Sequence, residues 1–151
     1  MESKEAVLFC RLGVFVGGFT LESAAAICND GEDVLDEVCG LADKSLLRQS
    51  EDEQGEPRFW MLETIREFAG EKLSESGGKK HITKTHALYF TEEATARFWA
   101  SKDPAYASAN LEWVACEIDN IHAALAYSIT NEPLEALMAS IVLSSFGYGK
   151  G

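Results

Sequence analysis

The 151-residue chain is short of basic residues and lacks several motifs that mark common functional sites. It has 13 lysines and arginines against 25 acidic residues, and its formal charge is −12. It contains no CxxC pair, no Cys/His cluster with metal-ligand spacing and no GxxxxGKS/T phosphate loop. We therefore expect no metal and no cofactor in this fragment, and neither ATP binding nor enzyme activity.

Long apolar runs are also missing. The N-terminus, MESKEAV, is charged, and no run approaches the ~18 apolar residues of a membrane-spanning helix. The cysteines are far apart among apolar or alanine neighbours, which predicts reduced thiols in the core of a cytosolic protein; they are Cys10, Cys28, Cys39 and Cys116. The sequence thus predicts a cytoplasmic protein without a signal peptide or membrane contact.

What is present is organised around the stretch from Arg58 to Leu73, RFWMLETIREFAGEKL. Phe59 and Met61 have a period of two, and helical spacing then begins without a gap; its apolar positions are Ile65, Phe68, Ala69 and Leu73. Upstream, Leu46 and Leu47 precede the segment SEDEQGEP, which has the charge and Gly/Pro content of a hairpin loop. This pattern predicts a hairpin, or wing, over about residues 46–62, followed directly by a helix.

Three helices are predicted before this hairpin. The first runs from Glu5 to Val16 and is ended by Gly17 and Gly18; its apolar side carries Val7, Leu8, Leu12 and Phe15. Thr20 is the predicted N-cap of a short alanine-rich helix, LESAAAIC. The third runs from about Glu32 to Asp43, and its predicted buried face carries Val34, Leu35, Val38, Leu41 and Ala42. Three helices, a hairpin and a further helix predict a winged-helix domain over residues 1–76.

The charge of the third helix argues against a role in reading DNA. In a winged-helix DNA-binding protein this helix enters the major groove, and its exposed face carries Arg, Lys, Asn or Gln. Residues 30–43 hold six acidic residues and no basic one, and residues 1–73 hold 16 acidic and 7 basic residues, a charge of −9. Such a surface repels phosphates. We therefore expect no direct contact with nucleic acid from this fragment.

The pattern is wholly helical after the segment SESGGKK, which we interpret as the domain boundary. One helix is predicted from about Lys80 to Trp99, with a stripe of Ile82, His86, Phe90, Ala94 and Phe98. The next carries Leu111, Val114, Ile118, Ile121, Leu125 and Ile129, and the last, from near Glu132, carries Leu134, Leu137, Met138, Ile141 and Val142. Short turns favour antiparallel packing, so residues 77–151 are predicted to be an incomplete tetratricopeptide-like array from a longer chain.

Four segments carry a specific family resemblance over about residues 7–148. They are LFCRLGVFVGGFTLESAAAIC, DVLDEVCGLADKSLL, GEPRFWMLETIREFAGEKLSESG and EIDNIHAALAYSI. In this order and spacing they resemble the region after the nucleotide-binding module of bacterial STAND signal-transduction ATPases, including regulators of the AfsR/SARP and LuxR-like type. The resemblance implies an NB-ARC-associated winged helix followed by the first helices of a tetratricopeptide-like sensor, with ATP or ADP bound in an upstream domain.

The same resemblance bears on the strand-to-helix junction, MLETIREFA. In related plant and animal proteins this junction resembles MHD, and its histidine helps to hold ADP. Met61 and Glu63 match the outer positions, but Leu62 stands in place of the histidine and cannot donate a hydrogen bond to a phosphate. We expect no nucleotide sensing at Leu62, and we interpret Glu63 as a first-turn acid that favours the helix dipole.

The resemblance implies a non-catalytic fragment of a larger signal-transduction ATPase that regulates transcription. The winged helix would couple the nucleotide-binding core to the helical repeats of the parent chain through protein contacts, and the last helix could support self-association. The predicted interdomain interface consists of Asp36, Glu37, Phe59, Met61, Leu62 and Arg66. The alternative is the DNA-binding winged helix of a transcription factor, which salt-dependent binding to duplex DNA would distinguish.

Overall fold

The computed structural model describes residues 3–52, 55–100 and 102–145. Its elements are α1 Ser3–Leu12, α2 Leu21–Cys28, α3 Leu35–Asp43, β1 Arg48–Glu51, β2 Pro57–Trp60, α4 Glu63–Glu75, α5 Lys79–Ala100, α6 Pro104–Asn131 and α7 Pro133–Ser145. The chain divides into two compact units, residues 1–83 and 84–151. A mostly helical fold with a small hairpin is confirmed, whereas the domain boundary after residue 76 stays a prediction.

Helix α1 is shorter than predicted, because it ends at Leu12 and not at Val16. The N–H groups of residues 13–15 donate to carbonyls three residues earlier, so the chain tightens at this point. Helix α4 comes close here, since a Cβ on Gly13 would lie 3.0 Å from the nitrogen of Gly70. The predicted core positions Leu8, Leu12 and Phe15 are buried, but Val7 is exposed.

Helix α2 begins at the predicted cap. The Thr20 hydroxyl accepts the N–H of Ser23 at 3.1 Å, and the Ser23 hydroxyl accepts the N–H of Thr20 at 3.0 Å, which forms a capping box. Helix α3 starts at Leu35, three residues later than predicted. The carboxylate of Asp33 accepts the Leu35 N–H at 2.9 Å in a turn just before the helix, and the N-cap residue, Val34, makes no side-chain bond to the helix. Leu35 is consequently exposed. On the rest of the predicted buried face, Val34, Val38 and Leu41 are buried.

The hairpin pairs β1 with β2 in antiparallel register. The opposite edge of β2 is bonded to Phe19, whose N–H donates to the Phe59 carbonyl at 2.8 Å, while the Phe59 N–H donates back at 2.9 Å. The Phe19 ring lies 6.0 Å from that of Phe59 and 5.0 Å from that of Phe15, between ring centroids. This aromatic cluster anchors the hairpin to the core of the first unit.

Helix α4 follows β2 after two residues, which confirms the predicted strand-to-helix junction. Ala69 and Leu73 are buried as predicted, but Phe68 is exposed. The Phe68 ring lies at the edge of the core, 6.3 Å from the ring of Phe9, with the Lys72 ammonium 5.4 Å from its centroid. Helical spacing therefore identified the correct side of α4 but not the limit of its buried stripe.

In the second unit, α5 and α6 run antiparallel. Lys84 on α5 pairs with Glu132, just after α6, at 3.4 Å. Further along α5, the carbonyl of Arg97 accepts from Asn110, near the start of α6, at 3.2 Å. A later position on α5 therefore meets an earlier position on α6. Glu132 alone separates α6 from α7, so the connections are short, as predicted.

The buried side of α6 is more polar than predicted. Leu111 and Ile129 are exposed, and the buried polar residues of this helix are Asn110, Glu117, Asn120 and Ser128. His86 on α5 shares a hydrogen bond of 3.1 Å with Asn120, whose amide donates to the Glu117 carboxylate at 3.0 Å. Because these groups satisfy one another, they can be buried beside the predicted apolar residues Val114 and Ile121.

Helix α7 also turns a different side inward than predicted. Its buried residues are Ala136, Ala139, Val142 and Leu143, whereas Leu134, Leu137, Met138 and Ile141 are exposed. Of the predicted stripe, only Val142 is buried. Ala136 and Ala139 allow α7 to pack closely, and Val142 and Leu143 complete its inward face. None of the described helices is both long and apolar enough to span a membrane.

Candidate nucleic-acid interface

The exposed side of α3 is acidic, as the sequence predicts. Asp36 is exposed and Glu37 is half-buried, and the helix contains no lysine or arginine. Glu37 lines a cleft of about 290 Å³ with Lys4 and Arg11, which lie on α1. An α3 placed in a DNA groove would bring carboxylates towards phosphates, and this arrangement is electrostatically unfavourable.

The hairpin carries a basic surface on the side opposite to the core. Directly paired residues project to one side of a hairpin, and successive residues project to alternate sides. Because Phe59 is 3% exposed, the outward side holds the pairs Arg48–Trp60 and Ser50–Arg58. We call these four residues the hairpin face. It has two arginines and no carboxylate, in a chain whose formal charge is −12.

Both arginines of the hairpin face are held by neighbours. The guanidinium carbon of Arg48 lies 5.7 Å from the centroid of the Trp60 ring. Arg58 donates to the Gly17 carbonyl from Nε at 3.3 Å and from Nη2 at 3.1 Å. The neighbouring Gly18 has a φ of +93°, and a Cβ there would lie 2.7 Å from the Phe59 carbonyl oxygen. The glycine pair predicted to end α1 therefore also positions Arg58.

Two acidic residues continue the side of the hairpin face towards the tip, since the register that pairs Ser50 with Arg58 brings Asp52 opposite Glu56, whose carbonyl accepts the Asp52 N–H at 3.0 Å. Glu51 is paired with Pro57 and belongs to the side that carries Phe59. The Asp52 carboxylate accepts the Glu56 N–H at 2.8 Å and so closes the turn. The negative charge of the predicted loop is thus concentrated at the tip, while the arginines occupy the strands; residues 53 and 54 lie outside the described part of the chain.

The residues predicted as an interdomain interface occupy separate places. Met61 and Arg66 line a cleft of about 340 Å³ that also includes Gly17. Arg66 has a local role, since its Nε donates to the Phe15 carbonyl at 2.8 Å and its Nη1 contacts Glu63 at 3.2 Å. These bonds tie α4 to the turn after α1.

The other four predicted interface residues differ in accessibility. Leu62 precedes α4 and is 41% exposed, whereas Phe59 packs in the core. Asp36 and Glu37 belong to α3 and do not line the cleft that contains Met61. Contact of these residues with another domain stays a prediction, and for Phe59 any such role would act through packing.

All four cysteines were predicted to lie in the core, but the structure places only some of them there. Cys28 is buried, and burial raises the pKa of its thiol to about 12; burial also raises the pKa of the Cys10 thiol. Cys39 and Cys116 are exposed, so for them the prediction is wrong. Among the residues that the structure describes, no group of three or more His, Cys, Asp or Glu side chains could hold a metal ion.

Residues 1–74 match the family model for a winged helix-turn-helix domain. The chain is 37% identical over 152 residues to "Putative HTH-type transcriptional regulator Rv0890c" of Mycobacterium tuberculosis (strain ATCC 25618 / H37Rv), and the match covers 97% of this chain and 17% of that protein. "Putative HTH-type transcriptional regulator Mb0914c" of Mycobacterium bovis gives the same values. "Uncharacterized protein Rv0894" of M. tuberculosis is 37% identical over 82 residues, covering 51% of this chain and 21% of that protein. No solved structure matches the chain.

The N-terminal part of the chain is therefore a winged helix-turn-helix domain, and the chain is homologous to proteins named as HTH-type transcriptional regulators. The chain spans 17% of the length of these relatives.

This finding contradicts the expectation that the fragment makes no direct contact with nucleic acid, since a winged helix-turn-helix domain with such homologues points to DNA binding. The expectation rested on the charge of α3 and on the summed charge of residues 1–73. A summed charge does not reveal how charges are distributed over separate faces. Arg48 and Ser50, like Arg58 and Trp60, are two residues apart, so the sequence already indicated that each pair lies on one side of its strand. Only the strand register joins the two pairs into one face.

Proposed function

We propose that this chain supplies a DNA-binding winged helix to a transcriptional regulator that acts in the cytoplasm. The observation that supports the proposal most directly is the winged helix-turn-helix architecture of residues 1–74, together with homologues named as HTH-type transcriptional regulators. Because the chain spans 17% of those relatives, the genes controlled and the effector belong to the whole protein.

The test is binding of the 151-residue chain to a short fluorescent DNA duplex, measured by anisotropy at several salt concentrations. We expect binding at about 50 mM salt that weakens as salt rises, because each neutralised phosphate releases counterions. Enrichment of one sequence from a random duplex library would add the specificity that a regulator requires. A duplex that shows no change in anisotropy at about 50 mM salt would overturn the proposal.

A second candidate function is coupling between domains of a STAND-type signal-transduction ATPase. The acidic exposed side of α3 favours it, because a surface that repels phosphates suits a protein partner better. In this function the winged helix contacts a nucleotide-binding core that holds ATP or ADP, and the helices after residue 77 continue as a tetratricopeptide-like sensor.

Hydrogen exchange in the longer protein that carries this chain would test the coupling function. We expect protection of α3 and of the junction near Met61 to differ between the ADP-bound and ATP-bound states. A domain that transmits the nucleotide state to another domain must make different contacts in the two states. Identical protection in both states, or a gene without a Walker A lysine upstream, would count decisively against it.

A further inference from the structure

We infer that a groove between α5 and α7, in the second unit, binds an amphipathic helix of a partner protein, with lysines or arginines on both borders of the apolar stripe of that helix. The groove has a volume of about 370 Å³, and the residues that line it include Thr91, Glu92, Thr95, Leu134, Glu135 and Met138. We call it the α5–α7 groove. It lies outside the winged helix, so the inference goes beyond the proposed DNA-binding function.

The first argument is the apolar surface that α7 leaves uncovered. Its exposed large apolar residues are spaced three and four apart and so lie on one side of the helix; they are Leu134, Leu137, Met138 and Ile141. Leu134 is 73% exposed, and the only charged residue of α7 is Glu135. A surface helix ordinarily turns charged and polar residues towards water. This side of α7 therefore favours contact with an apolar partner.

The second argument is that the α5 side of the groove needs no polar partner. The Thr91 hydroxyl donates to the Ala87 carbonyl at 2.9 Å, and the Thr95 hydroxyl donates to the Thr91 carbonyl at 2.8 Å. Apolar side chains can therefore cover both threonines without leaving a buried donor unpaired. An amphipathic helix fits such a groove, because its apolar residues at positions i, i+3, i+4 and i+7 project together from one side.

The third argument is the charge at the groove. Glu92 lines it from α5 and Glu135 lines it from α7, and no lysine or arginine lines it. Within the described part of the chain, neither carboxylate has a cationic partner, whereas the nearby acids Glu93 and Glu132 are each paired with a cation. Cations on both borders of an apolar stripe would pair with these two carboxylates and steer the partner into the groove.

The same charges argue against a second copy of this chain as the occupant. Two copies that met through their α5–α7 grooves would bring Glu92 and Glu135 of one copy towards the same carboxylates of the other. Each copy also has a formal charge of −12, so the two molecules repel each other at low salt. A basic partner protein is therefore favoured over self-association.

The first experiment measures binding of the 151-residue chain to two fluorescent synthetic peptides by anisotropy. Both peptides are amphipathic helices with leucines at positions i, i+3, i+4 and i+7. One has lysines on both borders of this stripe, and the other has glutamates at the same positions. We expect the lysine peptide to bind roughly tenfold more tightly at about 0.05 M salt, and this difference should shrink as salt rises. Equal binding of the two peptides would overturn the inference.

A pair of leucine variants tests whether the lysine peptide binds in the groove. Leu134→Ser removes an exposed leucine that lines the groove, and Leu111→Ser removes an exposed leucine of α6 that does not line it. We expect Leu134→Ser to weaken binding roughly tenfold and Leu111→Ser to change it by no more than about twofold. Circular dichroism and thermal unfolding verify that each variant is folded. Equal effects of the two changes would show that the peptide binds elsewhere.

A second pair of variants tests the carboxylates. Glu92→Gln combined with Glu135→Gln removes both acids of the groove, and the control, Glu22→Gln combined with Glu71→Gln, removes two exposed acids that do not line it. We expect the groove pair to weaken binding of the lysine peptide about fivefold at about 0.05 M salt and much less at about 0.5 M. Equal losses from the two pairs would assign the attraction to the overall charge and contradict the inference.

Two further results would overturn the inference by identifying another occupant. If sedimentation shows that the unmodified chain dimerises and that Leu134→Ser is monomeric, the occupant is a second copy. If the lysine peptide binds the 151-residue chain but not a longer protein that contains it, another segment of that protein occupies the groove. None of these measurements involves DNA, so a failure of the proposed DNA-binding function would leave their outcome unchanged.

Discussion

Helix α3 and the hairpin belong to the same unit and have the same type of anchor, yet their exposed sides carry opposite charge. Each element packs one side into the core, through Val38 and Leu41 on α3 and through Phe59 on β2. On the outward sides, α3 presents carboxylates and the hairpin presents arginines. The fold determines where a surface lies, while the residues on that one face determine what it can bind.

The largest expected effects are at the core residues that anchor the hairpin and α3, and we expect them to be similar for the two elements. Phe19→Ala removes the ring between Phe15 and Phe59 and should destabilise the chain by about 3–5 kcal/mol, while Leu41→Ala on α3 should cost about 2–5 kcal/mol. Substitutions on the exposed sides, Ser50→Ala and Asp36→Asn, should change stability by less than about 0.5 kcal/mol. Denaturant unfolding measures all four. If the losses of stability at Phe19 and Leu41 do not exceed those at Ser50 and Asp36 beyond experimental error, the two residues do not anchor these elements.

A smaller effect is expected at the glycine that brings the hairpin against the end of α1. Gly18→Ala should destabilise the chain by about 1–3 kcal/mol, because Gly18 has a φ of +93° and the new Cβ would meet the Phe59 carbonyl oxygen. The control is Gly70→Ala on α4, where a Cβ meets nothing within 4 Å and where alanine should stabilise the helix by about 0.5–1 kcal/mol. Equal effects of the two changes in thermal unfolding would contradict the close approach.

How much of these elements the sequence could predict depends on which interactions determine them. Thr20 was identified as a helix cap because capping is local, and the hairpin before α4 followed from the change of period after Phe59. On the inward side of α6, the buried positions Val114 and Ile121 were predicted, but Asn120 was not, because it is buried through its hydrogen bond to His86, which lies 34 residues earlier. The hairpin face was missed for the same reason, since joining Arg48 to Trp60 requires the register.

Helix α2 has a side-chain cap at Thr20, whereas the N-cap residue of α3, Val34, makes no side-chain bond, and this difference gives the next prediction. Thr20→Ala should destabilise the chain by about 1 kcal/mol, because it removes the hydroxyl that accepts the Ser23 N–H and donates to the Ser23 hydroxyl; the bond from the Thr20 N–H to the Ser23 hydroxyl remains. Thr20→Ser retains the hydroxyl and should cost much less. Chemical denaturation can resolve this difference, and equal losses for alanine and serine would show that the methyl group, and not the cap, is responsible.

The smallest expected effect on stability near neutral pH is at Cys28 on α2, which we compare with Cys39 on α3. Burial raises the pKa of Cys28 from 9.0 to about 12, so the folded chain retains a proton that the unfolded chain releases. The stability contributed by this thiol is complete below pH 9.0 and is lost as the pH rises towards 12. A Cys28→Ala variant should show a weaker decline over this range in denaturant titrations. At pH 8, mass spectrometry should find iodoacetamide on Cys39 before Cys28, and the reverse order would contradict the burial of Cys28.

Strand β2 is bonded on both of its edges, to β1 on one and to Phe19 on the other, and this has a consequence for solubility. Among the described residues, the open edge of this small sheet belongs to β1, Arg48–Glu51, whose four residues are all exposed and polar or charged. A short strand with charged ends is a poor template for adding a strand from another molecule, so aggregation by edge pairing is discouraged. The arginine at this edge therefore also acts as a gatekeeper that keeps the sheet from growing.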